Sequence, residues 1–327
     1  MRHLVIKLGA LGDVILATAL IRRLLESRPD VAHTLLTTPA FAPLFAGWSG
    51  LEVVAIPRHG ARNMWRAVRF MRRGGFSRVY DFQSNDRTGL MVALSGIPER
   101  VGNHPRFPYT HHPPTVYRSE IHIFERMNQV LASAGIAPAE PQPHLPPTES
   151  DRAHVASWLE THGLSPGGFV LCHAGASARW PSKRWPHFAA LARRLEREAG
   201  LPVVWLGAGE DAEDNRALAA EAGIDATGAF SIVQLAEIGR KARFAVTNDS
   251  GPMHVLSASA IPVFAFFGPT NWVKNHALGQ AGRVLRHPLE CSPCHRGVCP
   301  PEKGHACLAE LAVETVWERL RAEHLVP

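Results

Sequence analysis

The stretch that decides the fold is His3-Leu-Val-Ile-Lys7-Leu-Gly9-Ala-Leu-Gly12-Asp13. It begins with a short apolar run typical of a buried strand, and its two glycines allow a tight turn. A helical pattern follows from Asp13 to Ser27. Because a strand, a turn and a helix make up half of a βαβ unit, the stretch predicts an α/β fold with a parallel sheet.

The same alternation recurs on both sides of a proline-rich connector. Further strands are predicted at 34–38, 51–56 and 78–82, and then at 169–173, 203–206, 244–247 and 263–267, with helices between them. The connector, 138–147, holds five prolines, which continue neither a helix nor a central strand. We predict two doubly wound α/β domains, 1–145 and 146–327, that face each other across a cleft.

Composition narrows the class of protein. The 327 residues are 46% hydrophobic and 20% charged, which excludes collagen-like and wholly disordered chains. An apolar run at 14–21 is far shorter than the roughly 18–20 residues of a spanning helix, and no signal-peptide pattern is found. We therefore expect a cytoplasmic protein.

The net charge of +6 lies in the first half of the chain. Residues 1–150 hold 17 Lys and Arg against 11 Asp and Glu, whereas the rest hold 18 of each. On a predicted helix, Arg62, Arg66, Arg69 and Arg73 share one face, and no acid occurs between 53 and 80. Guanidinium groups suit phosphates and carboxylates. The face is either a solvated surface or a binding site for an anionic partner.

Asp13 follows the opening strand, where it can cap a helix or serve as a base at the carboxyl end of the sheet. Neither G-x-x-x-x-G-K-[ST] nor G-x-G-x-x-G is present, which weighs against phosphate-loop ATPases and nicotinamide dehydrogenases.

Four polar or glycine-rich loops follow strands of the second half. Each alone is an ordinary turn, but parallel strands bring such loops to one edge, where amides and Lys183 can bind a diphosphate. Glu210 or Asp211 can take ribose hydroxyls. The loops are His173-Ala-Gly-Ala-Ser177, Gly207-Ala-Gly-Glu210-Asp211, Asn248-Asp-Ser-Gly-Pro-Met-His254 and Gly268-Pro-Thr270.

Four of the five cysteines fall within 17 residues: Cys291, Cys294, Cys299 and Cys307. This density indicates either a closed, structural zinc or iron site or a thiol-rich loop without metal.

These motifs, in this order, resemble those of the lipopolysaccharide heptosyltransferases, glycosyltransferase family 9. The resemblance covers nearly the whole chain and rests on five stretches: Lys7 to Asp13, Lys183 in Ser-Lys-Arg-Trp-Pro, Asn248 to His254, Gly268-Pro-Thr270, and the late cysteines. It implies the GT-B fold. One departure is Asn271-Trp272, where the family commonly continues with Asp-Pro or Asn-Pro.

The resemblance implies inverting transfer of a heptose from ADP-heptose to the lipopolysaccharide inner core, with no cofactor needed for catalysis. Asp13 would be the base and Lys183 would stabilise departing ADP. Donor-binding positions would be Asp249, Ser250, Gly251 and His254, with Glu210 and Asp211 as looser matches. Acceptor-binding positions would be Gly12 and, from the basic charge of the first half more than from any motif, Lys7, Arg62 and Arg66.

The acceptor would be the acidic lipid A and keto-sugar core, reached at the inner membrane face, and no nucleic acid is expected as a partner. Two other functions remain open. One is a nucleic-acid-binding protein with an arginine-rich helix and a zinc-binding cysteine loop, and the other is a sugar-nucleotide epimerase.

Overall fold

The predicted strands are present in the computed structural model, which describes residues 1–105, 107–114 and 120–327. The chain divides into two units, Met1–Pro146 and Pro147–Pro327, here called unit 1 and unit 2.

Unit 1 is a five-stranded parallel sheet in the order β3-β2-β1-β4-β5. Its central strand, β1, is fully buried at Leu4, Val5 and Ile6, as expected when helices cover both faces of a parallel sheet. The elements are β1 Arg2–Ile6, α1 Leu11–Ser27, β2 Ala32–Thr37, β3 Leu51–Ala55, α2 Ala61–Arg73, β4 Arg78–Asp81, α3 Asp86–Ser95, β5 Glu99–Val101 and α4 Ile123–Ser133.

Unit 2 is a six-stranded parallel sheet in the order β11-β10-β9-β6-β7-β8. Its core joins the sheet to α6 and α12 through buried aromatic side chains such as Trp205, Phe266 and Trp317. The elements are α5 Glu149–Thr161, β6 Val170–His173, α6 Phe188–Ala199, β7 Val203–Trp205, α7 Ala212–Glu221, β8 Ile224–Asp225, α8 Ile232–Gly239, β9 Phe244–Asn248, α9 Gly251–Ser257, β10 Val263–Phe266, α10 Trp272–Asn275, β11 Val284–Leu285, α11 Ala306–Ala309 and α12 Val313–Ala322.

Both sheets are doubly wound, and each reverses its strand order once. The reversal lies between β1 and β4 in unit 1 and between β6 and β9 in unit 2. In open α/β sheets, ligands bind outside the carboxyl ends of the strands at such a point. Lys7 and Asp81 lie there in unit 1, and His173 and Asn248 lie there in unit 2.

The loose apolar stripe of Leu308, Leu311, Val316 and Leu320 predicts one closing helix over 308–324, but this prediction is wrong, because the structure has α11 and α12 with a break at Leu311. The Leu311 side chain is buried, and its carbonyl accepts a hydrogen bond from the indole of Trp185 at 2.8 Å. This anchor holds the chain outside a helix.

Candidate active site

In unit 1, a carboxylate and a buried ammonium group meet at the end of β1. Asp13 is the third residue of α1, within its first turn, and its side chain is one-third exposed. Lys7 Nζ lies 3.6 Å from Asp13 Oδ2 and donates to the Phe82 carbonyl at 3.3 Å. Since Lys7 is only 2% exposed, its ammonium faces Asp13 and the protein interior.

The charges around Lys7 are partly balanced. Burial lowers the pKa of Lys7, and the nearby carboxylates of Asp13 and Asp81 oppose this shift. Asp81 is completely buried, and burial raises its pKa. The hydrogen bonds that it accepts from Ser84 N–H and the Tyr109 hydroxyl lower the pKa and so oppose this shift. The Asp81 network ties the end of β4 to the turn that follows it and to Tyr109.

Gly9 lies beside a second cation near this loop, Arg58. Its φ of +141° lies in the region that favours glycine, and a Cβ there would be 3.4 Å from Arg58 Nη1. Arg58 follows β3, and Arg87 donates to the nearby Gly60 carbonyl at 3.0 Å. Sequence reasoning missed Arg58 and Arg87, although the acid-free stretch that begins at 53 was a signal for Arg58.

The arginine face predicted on α2 is exposed. The buried side of this helix consists of Ala67, Val68 and Met71, and Trp65 is 56% exposed among the arginines. Arg66, Arg69 and Arg73 line an open groove of about 670 Å³. Arg2 and Glu52, which form an ion pair with each other, line the same groove. The exposed arginines of α2 are Arg62, Arg66, Arg69, Arg72 and Arg73.

In unit 2, Lys183 is held by a buried carboxylate. Its Nζ lies 2.7 Å from Asp249 Oδ2, and the Thr270 hydroxyl donates to the same oxygen at 2.6 Å. Lys183 keeps 19% of its side chain exposed, whereas Asp249 keeps 7%. The ammonium group is therefore held by a buried carboxylate, while part of the Lys183 side chain stays exposed.

The side chain of Asn248 ties three segments together. Its Nδ2 donates to the carbonyls of Ala174 at 2.7 Å and Gly175 at 3.2 Å, and its Oδ1 accepts from Trp185 N–H at 3.0 Å. Asn248 is fully buried at the end of β9. The loops after β6 and β9 and the segment after Lys183 are thus fixed relative to one another.

The other predicted donor residues separate into exposed and buried groups. Glu210 is exposed, but its neighbour Asp211 is 5% exposed and faces His173, whose Nδ1 lies 3.1 Å from Ser250 Oγ. Gly251 is the first residue of α9, and His254 is half-buried within it.

The cysteine segment, Cys291 to Cys307, supports the Lys183 loop. Ser182 donates from N–H to the Gly297 carbonyl at 3.1 Å and from Oγ to the Arg296 carbonyl at 2.7 Å. The ring of His305 contacts the Ser182 carbonyl at 2.7 Å. The segment also contacts the loop after β10, since Ser292 Oγ donates to the Gly268 carbonyl at 2.6 Å.

The match to a family model decides the class of this protein. Residues 64–305 match glycosyltransferase family 9 (heptosyltransferase). The chain belongs to glycosyltransferase family 9. It is therefore a glycosyltransferase, and its two doubly wound sheets agree with the GT-B fold expected from the sequence.

Individual relatives agree with this assignment. The glycosyltransferase is 25% identical to lipopolysaccharide heptosyltransferase 2 of Escherichia coli strain K12, over 98% of each chain. Its fold matches the family 9 glycosyl transferase from Veillonella parvula DSM 2008, with a TM-score of 0.80 and 23% identity over 98% of this chain and 96% of that one. It also matches E. coli heptosyltransferase WaaC with ADP, with a TM-score of 0.73 and 18% identity over 98% and 99% of the chains.

An iron-containing protein also shares this fold. The dodecameric glycosyltransferase TibC of enterotoxigenic E. coli H10407 matches with a TM-score of 0.55 and 14% identity over 98% of this chain and 78% of that one. In the present glycosyltransferase, the four cysteines line one pocket of about 210 Å³. Within the described ranges, however, no three His, Cys, Asp or Glu side chains are arranged to hold a metal ion.

The structural zinc or iron site at Cys291, Cys294, Cys299 and Cys307 therefore stays a prediction, beside the alternative of a thiol-rich loop without metal. Cys307 is buried in α11, and a Cβ on Gly268 would lie only 2.7 Å from its Sγ. Burial, followed by the three other cysteines, raises the pKa of Cys307 to about 11, so this thiol keeps its proton at neutral pH. The other three cysteines are half-buried in the loop.

The structure brings the predicted site residues into two groups. In unit 1, Lys7 and Gly12 lie with Asp13, while Arg62 and Arg66 lie on α2. In unit 2, Lys183 and Asp249 are in contact, and Ser250 contacts His173.

Across the part of the chain that is described, no helix has both the length and the apolar character needed to cross a bilayer.

Proposed function

We propose that this glycosyltransferase transfers a heptose from ADP-heptose to the acidic inner core of lipopolysaccharide with inversion at the anomeric carbon. The observation that carries the proposal is Asp13, a partly exposed carboxylate at the carboxyl end of β1, with a buried lysine beside it. The relatives named above, lipopolysaccharide heptosyltransferase 2 and WaaC with ADP, support the choice of donor and acceptor.

Asp13 acts as the general base in this proposal. Its carboxylate takes the proton of an acceptor hydroxyl while that oxygen forms a bond to the anomeric carbon. The bond from the anomeric carbon to the phosphate oxygen breaks on the opposite side, and ADP leaves with the electron pair. Lys7 is too buried to contact a large acceptor, so we assign it the role of orienting Asp13.

Lys183 stabilises the charge that develops on ADP as it leaves. Its ammonium is already held by Asp249 and Thr270, so little reorganisation is needed when the phosphate becomes more negative. Ser250, Gly251 and His254 belong to the loop and helix that follow β9, next to this group. Glu210 is the exposed acid available for the ribose hydroxyls, whereas Asp211 is enclosed.

The exposed arginines of α2 bind the acidic acceptor and the anionic headgroups of the inner membrane face. This role is supported by their clustering and by the absence of acids between 53 and 80. If it is correct, Arg66→Gln raises the acceptor KM severalfold and leaves the donor KM unchanged. Arg216→Gln, an exposed arginine of α7 in unit 2, is the matched control. Equal effects of the two variants would contradict the assignment.

The deciding experiment is Asp13→Asn, assayed as ADP release from ADP-heptose with heptose-free lipopolysaccharide as acceptor. Removal of a general base lowers kcat by about 10²–10⁴-fold. ADP binding, measured by calorimetry, stays within about threefold of wild type because Asn keeps the shape of Asp. The matched control, Asp30→Asn, changes an exposed carboxylate of unit 1 and retains full activity.

Two results would count against the proposal. An Asp13→Asn enzyme with near wild-type kcat would remove Asp13 as the base. Thermal stabilisation by UDP or GDP but not by ADP would mean that the donor carries a different nucleotide. The stabilisation is measurable, because a ligand at 100 times its Kd adds about 2.7 kcal/mol to the free energy of unfolding.

A further inference from the structure

A buried aspartate and histidine lie behind Ser250, and the mechanism above does not use them. His173, the last residue of β6, is 4% exposed, and Asp211 is 5% exposed. His173 Nε2 lies 3.8 Å from Asp211 Oδ2, and His173 Nδ1 lies 3.1 Å from Ser250 Oγ. The three side chains form a continuous row from the interior of unit 2 to the half-buried hydroxyl of Ser250.

Two glycines make room for the carboxylate in this row. A Cβ on Gly175 would lie 2.1 Å from Asp211 Oδ1, and a Cβ on Gly207 would lie 2.7 Å from Asp211 Cβ. Any larger residue at either position therefore displaces Asp211. The glycines that follow β6 and β7 leave the space that this side chain occupies.

Asp211 is ionised in this setting. Burial alone would raise its pKa, but the adjacent His173 ring and the hydrogen bond from Ala208 N–H hold the pKa below its usual value. Ala208 N–H donates to Asp211 Oδ2 at 3.0 Å. A buried charge of this kind is costly to place in a protein interior and is weak evidence for a role in stability. It is better explained as a device that orients the imidazole.

We propose that Asp211 and His173 are positioning residues for the donor diphosphate, and that they act through Ser250. Asp211 fixes the orientation of the His173 ring, and the ring nitrogen Nδ1 fixes the Ser250 hydroxyl at the switch point between β6 and β9. Ser250 then contacts a phosphate oxygen of the nucleotide. The inference rests on the proposed function, because it takes the ligand at this edge to be ADP.

The test measures the Kd of ADP for the full-length protein by calorimetry. His173→Ala removes the support of Ser250, and we expect the Kd to rise about tenfold, which corresponds to about 1.4 kcal/mol. His173→Asn keeps an atom near the position of Nδ1, and we expect it to restore the Kd to within about threefold of wild type. His173→Gln reaches towards Asp211 instead, and we expect it to bind ADP as weakly as His173→Ala.

A double-mutant cycle tests whether the residues act as a unit. Ser250→Ala and the double variant His173→Ala/Ser250→Ala should bind ADP with the same Kd, because His173 acts through the hydroxyl. Asp211→Asn should raise the Kd severalfold in the wild-type background and have no effect in the His173→Ala background. His162→Asn, an exposed histidine at the end of α5, is the control that leaves the Kd unchanged.

Adenosine distinguishes positioning of the diphosphate from general damage to the fold. The affinity for adenosine should be the same in wild type and His173→Ala, because adenosine carries no phosphate. A parallel loss of adenosine affinity, or an unchanged Kd for ADP in His173→Ala, would overturn the inference. If the wild-type protein does not bind ADP, the proposed function itself is contradicted, and the inference falls with it.

Discussion

The two groups of site residues differ in how firmly they are held. At the end of β1, Asp13 is one-third exposed and lies 3.6 Å from the Lys7 ammonium. In unit 2, the Asp249 carboxylate is almost fully buried and is bound by Lys183 at 2.7 Å and Thr270 at 2.6 Å. A base must exchange protons with its substrate, whereas a phosphate-binding cation gains from a fixed position. The difference in packing therefore matches the difference in the roles proposed.

Lys183→Met gives the largest effect expected from this comparison. It removes the fixed cation and leaves the Asp249 carboxylate buried with one fewer partner. We expect kcat to fall by about 10²–10³-fold, as for the loss of one preorganised donor. Single-turnover assays measure this loss, and Lys274→Met, in α10, is the control. A change confined to KM would show that Lys183 binds the ground state and transition state equally.

Lys7→Met tests whether Lys7 orients Asp13 in unit 1. The methionine fills similar space, so the fold should be retained, but Asp13 loses the charge that orients it. We expect kcat to fall about 10–100-fold, with both KM values unchanged. A rise in acceptor KM alone would instead favour the acceptor-binding role that the sequence predicted for Lys7.

The units also differ in their buried histidines. His173 in unit 2 faces a carboxylate, whereas His3 in β1 packs against His33, with ring centroids 5.6 Å apart. Burial first, and then the charge of His33, lowers the pKa of His3 from 6.5 to about 4. Between these two values the unfolded chain binds more protons than the folded one, so stability falls as the pH falls from 6.5 towards 4.

A denaturant titration measures this dependence. We expect His3 to account for a loss of about 2 kcal/mol in the free energy of unfolding between pH 7 and pH 5. His3→Phe keeps a ring in the core and should reduce the loss by about that amount. If the variant loses as much stability over this interval as wild type, His3 is not the source of the dependence.

Ser182→Ala gives the smallest effect and tests how the Lys183 loop is held. It removes the hydrogen bond from the Ser182 hydroxyl to the Arg296 carbonyl, which contributes about 1 kcal/mol. We expect the donor KM to rise about three- to fivefold, with the acceptor KM unchanged. Ser165→Ala, an exposed serine of unit 2, is the control. No change in donor KM would mean that Asn248 and Asp249 hold the loop without help from the cysteine segment.

Some strands and helices could be predicted from the sequence, and others could not. Long apolar runs predicted the central strands, but β8 and β11 have two residues each, too few to show a pattern. Helix α5 was missed because only Val155 and Leu159 are buried, so its apolar stripe is weak. Its capping box, Thr148 with Asp151, was the available signal, and Asn85 with Thr88 was the corresponding signal for α3.

The candidate site was predictable as a set of positions and not as a set of contacts. Asp13, Lys183 and Asp249 stand in motifs that the sequence displays directly. The burial of Lys7 and the enclosure of Asp211 depend on residues far away in the chain, such as Phe82 and Gly175. Cysteine spacing left a metal site and a metal-free loop both open, and it did not reveal that Cys307 packs into the core beside Gly268.

The contact between Ser182 and the cysteine segment offers a route to inhibitors that do not resemble a nucleotide. The pocket of about 210 Å³ is lined by four thiols, and its wall includes Arg296, whose carbonyl binds Ser182. A small electrophile that alkylates one of the half-buried thiols would displace the cysteine segment that supports the Lys183 loop. Such a compound would weaken donor binding without competing with adenine, so high nucleotide concentrations in a cell would not protect the enzyme.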